Sequence, residues 1–160
     1  STLRHSSAAS DVYKRQYTDL LRDGKARMFT WVMEAKSVVT SPSPEKPILH
    51  KGIQQLRGLA WSGKGKIKRV DVSLDGGKNW RTAQLHAPIM SKSLVRFTLP
   101  FEWSGEELLI QSRAIDETGY VQPYIQELQK IRGKNSIYHN NSIATWLVSK
   151  SGKVDNVRLG

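Results

Sequence analysis

Cysteine is absent from these 160 residues. That excludes disulfides, zinc–thiolate sites and a thiol nucleophile. Long apolar runs are missing as well. No stretch approaches the ~18 residues of a membrane-spanning helix, and no secretory leader is recognisable at the N-terminus. Histidine is sparse, and His5, His50, His86 and His139 have neither helix nor finger spacing, so no metal site is expected from them. There is no Gly-x-Ser-x-Gly elbow, no Gly-Lys-Ser/Thr phosphate loop, no heptad pattern and no internal repeat. Acidic residues are outnumbered, 14 against 25 Lys and Arg, for a net charge of +11. Such a charge favours an anionic partner, the plainer alternative being a solvated basic surface. The densest cluster, Lys64, Lys66, Lys68 and Arg69, would form a basic stripe on one sheet face. The chain has no recognisable nucleic-acid-binding module and no interleaving of basic with aromatic residues, so neither nucleic acid nor membrane is an expected partner.

What is present points to strands. In residues 58–85, Val70, Val72 and Leu74 alternate with Arg69, Asp71 and Ser73, giving one apolar and one wet face. Asp75-Gly76-Gly77 supplies residues that accept positive φ, as a short hairpin needs. Trp80 opens the return strand, where its ring would cover the apolar face. Further strands are predicted at 36–40, 53–61, 67–74, 79–85, 94–99, 108–115 and 145–149, with Val95, Phe97 and Leu99 facing inward. Residues 41–47, SPSPEKP, are a proline-rich break. Turn signals at this spacing predict an all-β, immunoglobulin-like antiparallel β-sandwich. The longest irregular stretch is 119–144, and long loops in compact domains tend to be functional.

Several local patterns have plainer readings than their first impression. Ser73 to Trp80 nearly fits the Asp-box of sialidase propellers, but a propeller needs several copies and there is one. Gly63-Lys64-Gly65 reads as a hairpin turn. Asn140-Asn141-Ser142 fits a glycosylation sequon by chance. Arg113 and Asp116 read as a structural ion pair or a turn-forming network. Trp61, Trp80 and Trp103 would be the aromatic set of a carbohydrate-binding surface, though buried core is the simpler reading. A non-enzymatic adhesion or carbohydrate-binding sandwich therefore stands as the alternative function, since a fold does not fix a function.

MEAKSVVTSPSP (33–44), the hairpin at 58–85, QSRAIDETGYVQP (111–123) and IRGKNSIYHNNSIATW (131–146) together resemble one family in the right order. This is the C-terminal dimerisation domain of the sulfite oxidase type of molybdenum-cofactor oxidoreductase, most like that of bacterial sulfite or sulfane dehydrogenases of the thiosulfate-oxidising system. The resemblance runs from about residue 17 to the C-terminus. It implies residues 1–16 as a non-family tail, disordered or a cloning artefact. It implies 17–35 as the remnant of a preceding molybdopterin-binding domain and 36–160 as the immunoglobulin-like dimerisation domain. The intact enzyme would carry molybdopterin-molybdenum, oxidise a sulfur oxyanion, pass electrons to a c-type cytochrome and reside in the periplasm as a homodimer. The family's molybdenum ligand is a cysteine of the preceding domain, so the chain alone is expected to bind no cofactor, to contain no catalytic residue and to be inactive. On the residues alone Arg132 is a solvated loop arginine. By resemblance, Arg132 of the Arg132-Gly133 pair reaches into the substrate pocket and binds the oxyanion. Guanidinium suits that role by presenting paired donors and keeping its charge at every working pH.

Overall fold

The computed structural model describes residues 18–20, 26–28, 32–134 and 139–158. These fall into two compact units, one of 32–124 with 141–158, the other of 18–20, 26–28, 125–134 and 139–140.

The larger unit is a β-sandwich. Its strands are β3 (Lys36–Ser41), β4 (Gly52–Trp61), β5 (Ile67–Ser73), β6 (Arg81–Thr82), β7 (Gln84–Leu85), β8 (Val95–Trp103), β9 (Leu108–Asp116), β10 (Thr145–Val148) and β11 (Val154–Val157). One sheet has the order β11-β10-β9-β5-β6, the other β3-β4-β8-β7, and every pairing between these strands is antiparallel. The smaller unit holds a hairpin of β1 (Thr18–Leu20) and β2 (Ala26–Met28), and helix α1 (Ile125–Arg132). The smaller unit's residues 29–31 lie outside the described residues. Of the strand-like stretch RMFTWVME, residues 27 and 28 lie in β2, and residues 32–34 carry no strand.

Strict alternation builds the core. On β8 the inward row is Val95, Phe97, Leu99, Phe101 and Trp103, all buried, against exposed Arg96, Pro100 and Glu102 and half-buried Thr98. Val70 and Val72 of β5, Ile110 and Ala114 of β9, and Val148 and Val154 face them from the other sheet. Gly58 sits opposite Phe97 in the ladder, and a Cβ there would collide with the Phe97 ring, so a glycine stands in the inward row of β4. The interior also holds a polar tie. Gln122 Oε1 accepts from the Ser37 N–H at 2.8 Å and the Ala114 N–H at 3.0 Å, and Nε2 donates to the Ser142 carbonyl at 3.2 Å. Ser37 belongs to one sheet and Ala114 to the other, so one buried side chain joins both layers.

The sandwich departs from the sequence reading in several places. Strand 79–85 is split: Arg81 and Thr82 pair with β5, and after Ala83 the chain crosses so that Gln84 and Leu85 pair with β8 of the opposite sheet. Gly63-Lys64-Gly65 is no hairpin turn, because β4 and β5 lie in different sheets and the segment carries the chain between them. β8 continues past Leu99 through Pro100. This is tolerated because β7 pairs only as far as Thr98, leaving no strand beside β8 where the missing N–H would matter. Residues 119–144 are not all irregular, since α1 occupies their middle. Strand β11 closes the sheet edge and is too short for its alternation to stand out in the sequence.

Candidate substrate-anion site

Arg132 is the last residue of α1, not a loop residue. Helix formation is supported by Glu127 in the first turn and Lys130 and Arg132 in the last, each at the dipole end that favours its charge. Leu128 and Arg132 are four apart, hence on one helix face, and both are buried, at 5% and 4% exposed. Gly133 ends the helix. Its φ of 82° is left-handed, and its N–H donates to the Gln129 carbonyl at 2.9 Å, closing the last turn. The left-handed φ that a glycine adopts without strain thus serves to cap the helix.

Beyond the cap the chain returns to the guanidinium: Arg132 Nη1 donates to the His139 carbonyl at 2.9 Å. The interval 135–138 lies outside the described residues. A guanidinium has five N–H donors in a fixed plane, and the His139 carbonyl engages one of them. His139 therefore contributes its backbone to this arrangement, while Lys134 is exposed. The signal for a buried arginine was present in the sequence as the Leu128–Arg132 spacing, visible only once a helix is assigned.

The remaining candidates resolve into structural roles. Arg113 does not pair with Asp116. Its guanidinium lies 3.3 Å from Asp71, which also takes Arg69 at 3.0 Å, and stacks 4.1 Å from the centre of the Trp80 ring. Trp80 thus covers the wet face, not the apolar one. Burial pushes the Asp116 carboxyl up, but hydrogen bonds from the Thr118 and Ser62 hydroxyls and the Tyr120 and Thr118 N–H groups outweigh it, holding the pKa below its ordinary value. Asp75 accepts from the Asn79 N–H, the Ser73 hydroxyl, the Asn79 amide and the Lys78 N–H, which holds its carboxyl well below the usual carboxylate range. Gly76 and Gly77 follow at positive φ, so the Asp-box likeness reports turn chemistry.

The expected basic stripe is broken up: Lys64 pairs with Glu34 at 3.3 Å over the Tyr120 ring, and Arg69 is held by Asp71. The three tryptophans form no platform. Trp103 is core, Trp61 lies on the outer face of its sheet and Trp80 on the opposite sheet. Among the described residues no three His, Asp or Glu side chains gather as a metal would require.

Residues 27–146 match the Mo-co oxidoreductase dimerisation domain family. Sulfite oxidase of Gallus gallus is 40% identical over 98 residues, covering 57% of this chain and 21% of the relative. An NADH nitrate reductase of Solanum lycopersicum is 37% identical over 105 residues, covering 57% of this chain and 12% of the relative. The chain thus spans about a fifth or less of these curated relatives. Among solved structures, the sulfane dehydrogenase SoxCD of Paracoccus pantotrophus matches with a TM-score of 0.87 and 59% identity, over 90% of this chain and 37% of that one. The all-β sandwich expected from the strand pattern is the observed fold, and the chain belongs to the Mo-co oxidoreductase dimerisation domain family.

Proposed function

We propose that this chain is the dimerisation module of a molybdenum-dependent sulfite or sulfane dehydrogenase, pairing as a homodimer and lending Arg132 to the sulfur-oxyanion pocket of the longer protein. Residues 17–35 are then the end of a molybdopterin-binding domain, and 36–160 the module itself. The reading is supported by 59% identity over 90% of the chain to a sulfane dehydrogenase. Its finer part is carried by one observation: Arg132 is buried at a helix terminus, with one guanidinium N–H held by the His139 carbonyl. A pre-oriented planar fork recognises a tetrahedral oxyanion at lower entropic cost than a mobile lysine. The described residues do not fit a molybdenum site, having no clustered ligands, and the sequence has no thiolate. The metal and the redox chemistry belong to the preceding domain of the intact enzyme, with a c-type cytochrome as acceptor and the periplasm as compartment.

The test is steady-state kinetics of the longer enzyme with Arg132→Gln and Arg132→Lys. A lost charge-assisted hydrogen bond, at about 1.5–3 kcal/mol, lowers kcat/KM by roughly 10- to 100-fold. Lysine restores part of it, because a point charge replaces the field but not the fork. Because the side chain is buried, the glutamine variant also melts lower. Partial rescue of kinetics by lysine separates the two effects. Unchanged kcat/KM in the glutamine variant would remove Arg132 from the pocket.

A further inference from the structure

Residues 125–140, which carry Arg132, are flanked in the chain by Tyr124 and Asn141 of the sandwich. The two flanks are tied to each other. The Ile143 N–H donates to the Pro123 carbonyl at 2.9 Å, and Gln122 Nε2 donates to the Ser142 carbonyl at 3.2 Å. Asn141 itself is fully buried, at 0% exposed. Its Nδ2 donates to the Ala35 carbonyl at 3.2 Å and to the Tyr120 hydroxyl at 3.0 Å. Tyr120 donates in turn to Glu34 Oε2 at 2.9 Å. Lys64 holds the other Glu34 oxygen at 3.3 Å and lies 4.9 Å from the centre of the Tyr120 ring.

The direction of the Asn141 amide follows from these neighbours. The Tyr120 hydroxyl gives its one proton to Glu34, so toward Asn141 it only accepts, and a carbonyl only accepts. A flipped amide would set Oδ1 against two acceptors. As it stands, Oδ1 is buried without a hydrogen-bond partner. An orphaned acceptor offsets what the two donated bonds contribute, so this amide adds little to net stability. What it adds is placement. Asn141 stands two residues after His139, whose carbonyl accepts from Arg132 Nη1. Two residues of chain span at most ~7 Å, so holding Asn141 confines where that carbonyl can lie.

We propose that Asn141 is a positioning residue for Arg132. Its amide, held by Ala35 and by the chain of Lys64, Glu34 and Tyr120, sets the path of the returning backbone and with it the carbonyl that engages the guanidinium. This rests on the oxyanion reading of Arg132 above and adds the residues that keep the arginine in place. Glu34 and Ala35 close the segment assigned above to the preceding domain, so the same network joins the end of that segment to the return of the Arg132-bearing chain.

The test is a double-mutant cycle in the longer enzyme, with sulfite or thiosulfate as substrate. It compares Asn141→Leu, which keeps the outline of the side chain and removes its donor, with Arg132→Gln and with the two together. Asn141→Leu is expected to lower kcat/KM at least ~10-fold, as a misplaced binding group does. The double variant is expected to match Arg132→Gln within about 2-fold, because a residue acting through Arg132 has nothing further to lose once the guanidinium is gone. Tyr120→Phe removes one of the two acceptors and is the milder change; it carries the same comparison if the leucine variant does not fold. Its loss is a few-fold, and it too vanishes in the Arg132→Gln background. A melting temperature lowered by Asn141→Leu with unchanged kinetics makes Asn141 structural and overturns the proposal, while the oxyanion reading stands. Losses that multiply in the double variant overturn it as well, since Asn141 then acts apart from Arg132. Unchanged kinetics in Arg132→Gln alone overturns the oxyanion reading, and this proposal with it.

Discussion

Replacing Gln122 with leucine tests whether the sandwich is held by the polar tie across its layers as well as by its apolar core. Leucine nearly matches glutamine in volume, so little cavity forms. What changes is the fate of three backbone groups. The Ser37 and Ala114 N–H groups lose their acceptor, and the Ser142 carbonyl loses its donor. Ser37 and Ala114 are 1% and 0% exposed, so water does not take the place of Oε1. A buried group left without a partner costs about 1–3 kcal/mol. Two such groups, less about 1 kcal/mol for apolar burial, give a net loss of about 3 kcal/mol. At an m-value of ~1.5 kcal/mol per molar, the urea midpoint falls by about 2 M. Gln122→Glu supplies the internal control. In its protonated form that variant keeps both the acceptor for the two N–H groups and a donor for the Ser142 carbonyl, so at acid pH it should lie near wild type where the leucine variant does not. A leucine variant within about 0.5 kcal/mol of wild type, an ordinary surface effect, would refute the reasoning.

Other expectations follow from the same structure. Gly152→Ala drives a Cβ into the Ile48 carbonyl oxygen at a φ of 81°, and calorimetry should register a loss of at least ~2 kcal/mol. Phe97→Ala empties the centre of the core and costs about 3–5 kcal/mol in urea titration, while Ile53→Ser at an exposed site stays within about 0.5 kcal/mol. The Asp116 carboxyl has a lowered pKa in the folded chain, so its stabilisation is complete above the unfolded value of ~3.9 and is lost as pH falls through the lower folded one. Asp116→Asn should flatten that acid limb of the stability profile, measured by urea midpoints from neutral pH downward.

Alternation carried most of the fold into the sequence. Where apolar and polar residues alternate, as in β5 and β8, inward Val70, Val72, Val95, Phe97 and Leu99 could be named before any coordinates. What alternation does not encode is which strand a segment joins. The 79–85 segment looks like one strand because Ala83, at the crossing between sheets, is as small and buried as a strand residue. β8 runs past its expected end at Leu99, since the effect of Pro100 depends on whether a neighbour lies beside it. At the candidate site the Arg-Gly pair was legible, but not the burial of Arg132. An eight-residue helix has few i, i+4 pairs, and Leu128 with Arg132 does not announce itself as the buried one. Asp71 as the partner of Arg113 was hidden for a similar reason: the two are 42 positions apart and meet only through the β5–β9 register.

The interruption of β8 at Pro100 has a consequence for growth by strand addition. A sheet extends when an incoming chain finds a run of unused donors and acceptors along an edge. Here β7 is two residues long, and beyond it β8 offers a proline with no N–H and a carbonyl already met by Arg81 at 3.3 Å. At the opposite edge, the Ser37 N–H of β3 is turned inward to Gln122, and the β3 ladder slips between Val39 and Ser41. Neither edge of this sheet offers an incoming strand an unbroken run of unused donors and acceptors, so this sheet is poorly suited to growth by strand addition.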